Sequence, residues 1–197
     1  MSHHSVPADT PLESRLHGDL PLTDAAPAAA AISADATVLT GGFGSVGYPK
    51  AVPLALAEDD RDLGLTLVHS GNVGEEIDVE LVGSGAVDRR FSYQFSSVAR
   101  AATDRREIAF SDRNASAIGD EVRYGRLADP DVAVVEAVAV GEDWFVPSTS
   151  VGQVPAFVEA ADTLLVEVNR TQPLELRALH GLNKVEAHPQ GTSGASE

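Results

Sequence analysis

Three glycines, Gly42, Gly44 and Gly47, spell G-x-G-x-x-G within VLTGGFGSVGYPK, directly after a short apolar run. A dinucleotide loop with this spacing needs a helix that starts at the glycines and an acidic residue at the end of the next strand. Neither condition is met, because Pro49 and Pro53 restrict the following helix and the next apolar run ends in His-Ser-Gly. A tyrosine also stands where a Walker loop needs its lysine. The pattern therefore argues against a nucleotide site.

The same glycines still let the backbone turn tightly at the C-terminal end of a strand. That edge is where open α/β sheets bind ligands, and backbone amides there can approach an anion or a carbonyl oxygen. A second glycine-bounded turn, SGNVG at 70–74, follows the next predicted strand. Two such loops on one edge would form one wall of a pocket; the alternative is that both are only tight connections.

The elements that must position these loops alternate between β-rich and helix-like segments. We predict strands at 37–40, 65–70, 131–140 and 163–169, and helices over AAPAAAAISA at 25–34 and near 50–59, 75–82, 95–103, 115–124 and 153–161. Runs that are apolar on both faces are typical of buried parallel strands. The sequence therefore predicts an α/β fold, an open and mostly parallel sheet flanked by helices.

Polar segments at both ends divide the chain. Residues 1–22 lack apolar periodicity and are predicted to be a mobile N-terminal tail, and residues 183–197 a polar C-terminal tail. Residues 23–182 would form the folded domain.

Composition limits the class of partner. The 197 residues include 30 acidic and 14 basic side chains, a net charge of −16, which repels nucleic acid and anionic lipid. Only two of the basic residues are lysines, and such a surface suggests adaptation to high salt, although an ordinary acidic protein is the alternative.

The chain has no cysteine, no apolar run of the ~20 residues that span a bilayer and no N-terminal signal pattern, so we expect a cytoplasmic protein.

Two longer stretches carry a family resemblance. GGFGSVGYP at 41–49 resembles the G-G-F-x-x-x-G-x-P pattern of family I coenzyme A transferases, and GYPKAVPLALAE is similar to their acetyl-CoA hydrolase/transferase branch, which includes succinyl-CoA:acetate CoA-transferases. VPSTSVGQVPAFVEAADTLLVEVN at 146–169 resembles the second motif of that branch, V-P-x-S-S-V-G followed by E-V-N. The resemblance extends over residues 31–182.

The resemblance implies that this chain is the N-terminal half, an α-type subunit or fragment. In the family, two α/β halves enclose the active site, and a glutamate of the C-terminal half attacks the acyl-CoA thioester. We therefore expect no catalytic residue, metal or cofactor here, with coenzyme A as a substrate and a C-terminal half or subunit as partner. The loops would face acyl-CoA and carboxylate substrates through Gly42, Phe43, Gly44, Gly47, Gly71, Asn72, Val73 and Gly74. The alternative is a non-catalytic remnant or binding module of the same fold; an isomerase of the sugar-phosphate type, with the same broad architecture, lacks a phosphate-binding motif here.

We expect structural roles for the other side chains whose types could do chemistry. Glu136 and Glu167 lie inside apolar strands, where burial raises a carboxyl pKa unless a helix N-terminus or an arginine supports the charge. We expect paired structural roles for both. His69 and His180 have no second ligand at metal spacing. The arginines at 89, 90, 100, 105 and 106 are expected to be solvated or ion-paired, and contact with a partner or with the phosphates of coenzyme A is the alternative.

The sequence departs from the family pattern at three notable positions, one of which is Asn183, where the match ends just after the histidine element LHGL. Asn72 stands where the family commonly has the serine of T-G-A-S-T-G, and its amide could still donate a hydrogen bond to an acyl oxygen. Trp144 replaces a usual glycine and adds bulk to its turn.

Overall fold

One sheet forms the centre of the chain in the computed structural model, which describes residues 11–69, 71, 74–179 and 185–186. Its strands are β1 Leu16–His17, β2 Thr37–Thr40, β3 Leu65–His69, β4 Val87–Ser92, β5 Ala109–Asp112, β6 Val132–Gly141, β7 Trp144–Pro147, β8 Thr163–Val168 and β9 Val185–Glu186. The helices are α1 Ala25–Ala30, α2 Ala51–Ala57, α3 Ser97–Asp104, α4 Ile118–Arg123, α5 Val154–Ala160 and α6 Leu176–Leu179, with a 3-10 turn at Leu12–Ser14 and a π-helix at Glu76–Leu81.

The strand order is β5-β4-β3-β2-β6-β7-β9, and β1 and β8 also pair with β6. The pairs from β5 across to β6, and those of β6 with β8 and β1, are parallel. Only the hairpin from β6 to β7 and the β7–β9 pair are antiparallel among the described strands. The predicted open, mostly parallel sheet is therefore confirmed.

Side-chain alternation along the central strands explains why helices cover both faces. Val38 and Leu67 point to one face, where they join a core with residues of α1, α2, α3 and the π-helix. Leu39 and Val68, their chain neighbours, point to the other face and pack with Phe157 of α5 and with α4. Because both faces are buried, β2 and β3 contain no Asp, Glu, Lys or Arg residue, and this is the pattern that made them predictable.

The four predicted strands and the helix-like segments are confirmed to within a few residues. The segment at 75–82 is helical with π-type hydrogen bonding. The prediction missed β4, β5 and β7. β4 has the sequence VDRRFS, and the three charged residues at its centre do not suggest a strand. It nevertheless pairs with β3 on one side and with β5 on the other.

The N-terminal segment differs from the predicted tail. Within residues 1–22, Leu16–His17 form β1, which pairs in parallel with Val140 and Gly141 of β6. Arg15 is fully buried and donates hydrogen bonds to the carbonyl oxygens of Val138, Arg170 and Gln172 at 3.1, 2.9 and 2.8 Å. The hydrogen bonds of Arg15, together with the pairing of β1, therefore hold this segment against the sheet. Apolar periodicity cannot predict contacts of this kind. At the other end, 185–186 of the predicted C-terminal tail pair with β7.

Candidate functional site

The two glycine loops lie side by side at the carboxyl edge of the sheet. The first loop, residues 41–47, follows β2, and the second, residues 70–74, follows β3; within the second loop the structure describes Gly71 and Gly74. The parallel pairing of β2 with β3 brings both loops to one edge. The N–H of Gly44 donates a hydrogen bond to the carbonyl oxygen of Gly71 at 3.1 Å, so the loops are directly connected.

The first loop is a tight turn with an apolar tip. Phe43 and Val46 exchange backbone hydrogen bonds at 3.1 and 3.3 Å, and their side chains are 55% and 50% exposed. Gly42, Gly44 and Gly47 have positive φ angles of 96°, 59° and 66°. A Cβ atom on Gly42 would lie 2.7 Å from the Tyr48 Cα, and one on Gly47 would lie 2.7 Å from the Ser150 nitrogen. Both glycines are therefore required for this backbone path.

Tyr48 joins the first loop to the helix that follows the second. Its hydroxyl donates to Glu76 Oε2 at 2.6 Å, and burial together with this glutamate raises the pKa of Tyr48. The ring lies so close to Gly74 that a Cβ atom there would be 2.2 Å from Tyr48 Cε2. The ring position therefore requires glycine at 74.

Lys50, shortly after the first loop, forms an ion pair with the buried Glu136. Lys50 Nζ donates to Glu136 Oε2 at 2.6 Å and to the Tyr48 carbonyl oxygen at 2.7 Å. Asn169 Nδ2 donates to the same Glu136 oxygen at 2.9 Å, and the Ser148 hydroxyl donates to the other. Glu136, 3% exposed, is thus a paired carboxylate, as expected, although its cation is a lysine and not an arginine.

Glu167 supports the start of α2. Its carboxylate accepts the backbone N–H groups of Lys50, Ala51 and Val52 at 2.7, 3.0 and 2.7 Å. Burial raises the pKa of Glu167, and the three N–H donors oppose that rise because they favour the charged form. The expected paired structural role of Glu167 is confirmed, and its partner is the N-terminus of a helix.

His69, at the end of β3, lies in a buried cluster with Arg90 of β4 and Asp78 of the π-helix. Arg90 Nε and Nη2 lie 2.9 and 2.7 Å from His69 Nε2, and Nη2 also pairs with Asp78 Oδ1. All three side chains are at most 1% exposed. Burial and the neighbouring guanidinium lower the pKa of His69 well below its usual value, and burial raises the pKa of Asp78 to about 6.

The other predicted residues fall in several places. Asn72, Val73 and His180 lie outside the described residues. Arg90 and Arg105 are ion-paired, whereas Trp144 starts β7 with its ring centroid 5.4 Å from that of His17. Arg89, Arg100 and Arg106 are exposed.

Sequence reasoning missed four residues of the site: Tyr48, Lys50, Ser148 and Asn169. One usable signal was that Lys50, one of only two lysines, lies three residues after the end of the glycine loop. Among the residues that the structure describes, no group of three or more His, Asp or Glu side chains could hold a metal ion. None of the helices in that part of the chain is long and apolar enough to span a membrane.

The folds of known proteins agree with this arrangement. RipA from Yersinia pestis aligns with 82% of this chain and 38% of its own at a TM-score of 0.63 and 16% identity. Glutaconate coenzyme A-transferase from Acidaminococcus fermentans aligns with 89% of this chain and 73% of its own at a TM-score of 0.60 and 14% identity. At such identities these structures show the shared fold alone.

Sequence comparison goes further. Succinyl-CoA:acetate CoA-transferase from Clostridium kluyveri is 34% identical over 78% of this chain and 29% of its own length. An acetyl-CoA hydrolase from Eremothecium gossypii is 36% identical over 72% of this chain and 29% of its own. The chain thus spans less than a third of these relatives. The model of the acetyl-CoA hydrolase/transferase N-terminal domain matches residues 21–181, and the chain therefore belongs to the acetyl-CoA hydrolase/transferase family.

Proposed function

We propose that this chain is the N-terminal half of an acetyl-CoA hydrolase or acetate CoA-transferase and supplies the loops that face acyl-CoA and carboxylate substrates. The observation that carries the proposal is the direct contact between the two glycine loops, Gly44 N–H to Gly71 C=O at 3.1 Å, at the ligand-binding edge of a parallel sheet. Family membership supplies the substrate class, and the relatives' greater length leaves room for a second half.

The loop geometry suits a thioester substrate. The positive φ angles at Gly42, Gly44 and Gly47 favour glycine, and because glycine has no side chain, the peptide groups at these three positions can approach an acyl oxygen closely. Donors of this kind stabilise the negative charge that develops on that oxygen during acyl transfer. The exposed side chains of Phe43 and Val46 offer apolar contact for the acyl chain or the pantetheine arm of coenzyme A.

The nucleophile is expected to come from the partner half. Covalent transfer through a carboxylate needs an accessible group aimed at the thioester carbon. Glu136 is buried against Lys50 and Asn169, and Glu167 is held by three backbone N–H groups of α2. Both carboxylates are committed to structural contacts, which fits a glutamate supplied by a C-terminal half.

The test compares the purified chain with the chain mixed with a C-terminal half of the same family from the same organism. Loss of the acetyl-CoA thioester is followed by absorbance, with and without a carboxylate acceptor. We expect no turnover by the chain alone and clear turnover by the mixture. Turnover by the chain alone that disappears in Glu136→Gln or Glu167→Gln would overturn the half-enzyme proposal. An inactive mixture in which both halves bind each other would favour a non-catalytic binding module.

Asn72 is the side chain of this half that we propose as a donor to the acyl oxygen, because the resemblance places a hydroxyl at its position. In the active mixture, Asn72→Ala should lower kcat by roughly 10²–10³, as expected for the loss of one oxyanion donor, with little change in melting temperature. An unchanged kcat in a folded variant would leave only backbone amides of these loops as candidate donors from this half.

A further inference from the structure

The second glycine loop is flanked on both sides by residues that contact one buried arginine. His69 is the last residue of β3, immediately before the loop, and Asp78 lies in the π-helix that begins just after it. Arg90, on the neighbouring strand β4, reaches His69 Nε2 with Nε and Nη2 at 2.9 and 2.7 Å and pairs with Asp78 Oδ1 through Nη2. One guanidinium therefore connects the residue that enters the loop with the helix that leaves it.

We propose that Arg90 is a positioning residue that fixes where the second loop leaves β3 and where it enters the π-helix. The inference rests on the proposed function, since it concerns a loop that we assign to acyl-CoA. Arg90 acts through the two flanks, because its side chain is only 1% exposed and does not offer its guanidinium to a substrate.

The protonation states follow from the geometry. Arginine carries only donors, so His69 Nε2 must accept, which places the ring proton on Nδ1 and makes the imidazole neutral. The positive guanidinium opposes a second proton on that ring, in agreement with its lowered pKa. The planar fork of the guanidinium places donors on separate nitrogens, so that Nε and Nη2 reach His69 while Nη2 also reaches Asp78; an ammonium group has all its donors on one nitrogen and no such fork.

Backbone contacts carry this restraint to the described residues of the loop. The N–H of Asp78 donates to the carbonyl oxygen of Gly74 at 2.8 Å, so fixing Asp78 also fixes Gly74. Gly71, two residues after His69, accepts from Gly44 of the first loop. Arg90 thereby helps to hold Gly71 and Gly74 of the second loop in place, and a shift of its two partners would move the pocket wall that the loops are proposed to form.

Three substitutions separate a positioning role from a structural one. Arg90→Lys keeps the charge beside Asp78 but loses the two-partner fork. His69→Leu removes the acceptor, whereas His69→Gln restores an amide oxygen near the position of Nε2 and serves as the conservative rescue. Arg105→Lys, in an exposed ion pair with Glu107, is the matched control.

Two readouts are needed, and the first does not depend on activity. Hydrogen–deuterium exchange of the isolated chain should be faster at residues 70–78 in Arg90→Lys and His69→Leu, with exchange in β2 and β6 unchanged. In the active mixture, kcat should fall roughly tenfold to a hundredfold, as displacement of a reacting geometry by about 1 Å can cause. His69→Gln should recover most of the loss, and Arg105→Lys should match the wild type.

Different experimental results would overturn different parts of the proposal. Unchanged exchange at 70–78 in folded Arg90→Lys and His69→Leu variants would overturn the restraint itself. Faster local exchange with an unaltered kcat would overturn the role in positioning. If Arg90→Lys does not fold, His69→Leu with its Gln rescue decides between these results, because it leaves the Arg90–Asp78 pair in place. A wild-type mixture without turnover counts against the proposed function, while the exchange result still decides the restraint.

Discussion

At the scale of single residues, close approach accounts for the glycine content of the site. Gly74 has no unusual φ angle, yet a Cβ atom there would lie 2.2 Å from the Tyr48 ring. The ring cannot move aside easily, because Tyr48 is 7% exposed and its hydroxyl is bonded to Glu76 at 2.6 Å. Glycine is required at 74 for packing and not for backbone conformation.

Gly74→Ala should therefore destabilise the fold by about 1–3 kcal/mol, the usual range for forcing an extra carbon into a packed interior. Urea unfolding followed by circular dichroism measures the change. The control is Gly83→Ala, where the added Cβ atom would meet only Val98 Cγ1 at an ordinary 3.7 Å. Equal stability of Gly74→Ala and the wild type would mean that the Tyr48 ring is free to move.

At the scale of elements, α2 depends on a strand that is distant in sequence. No side chain next to its start caps the helix, and the first N–H groups instead bond to Glu167 of β8. Unsatisfied N–H groups at a helix start are costly, and a negative charge there is favourable. The link holds the start of α2 in place, and three residues separate it from Gly47, where the first glycine loop ends.

Glu167→Gln should cost about 1–2 kcal/mol of unfolding free energy, because an amide offers one oxygen and no charge to three N–H donors. Denaturant unfolding measures the loss, and amide exchange should rise first at residues 50–52. Glu175→Gln is the matched control, since Glu175 is an exposed glutamate. A loss no larger than that of the control would show that water can replace the carboxylate at the helix start.

At the scale of the whole molecule, charge is the dominant feature. A net charge of −16 on 197 residues produces self-repulsion that weakens the compact state. Exposed ion pairs such as Arg105–Glu107 oppose this only slightly, because solvent screens them. Added salt should weaken both effects, and the repulsion is the larger of the two.

We expect the melting temperature to rise between dilute buffer and 1 M KCl, where the Debye length is ~3 Å. Thermal melts across a KCl series test this, and a parallel series in sucrose, which adds no ions, separates screening from solvent exclusion. A midpoint that stays flat or falls with KCl would contradict the inferred adaptation to high salt.

The sequence by itself determined the central strands, the helical segments and the two glycine loops. Strands such as β2 and β6 are buried on both faces, so their apolar runs are visible without any knowledge of neighbours. The glycines were visible because tight turns require them, and longer motifs identified the family. The paired states of Glu136 and Glu167 also followed, since a buried carboxylate needs a partner.

Only the tertiary structure decided which partners these groups have. Lys50 meets Glu136 across 86 positions and Arg15 meets Val138 across 123, distances over which no local pattern operates. β4 was not predicted for the same reason. Its charged Arg90 is stable in the interior because it contacts His69 and Asp78, which lie elsewhere in the sequence. Polar contacts between distant segments depend on how the sheet and its helices pack. Local sequence patterns therefore could not predict which buried polar groups would meet.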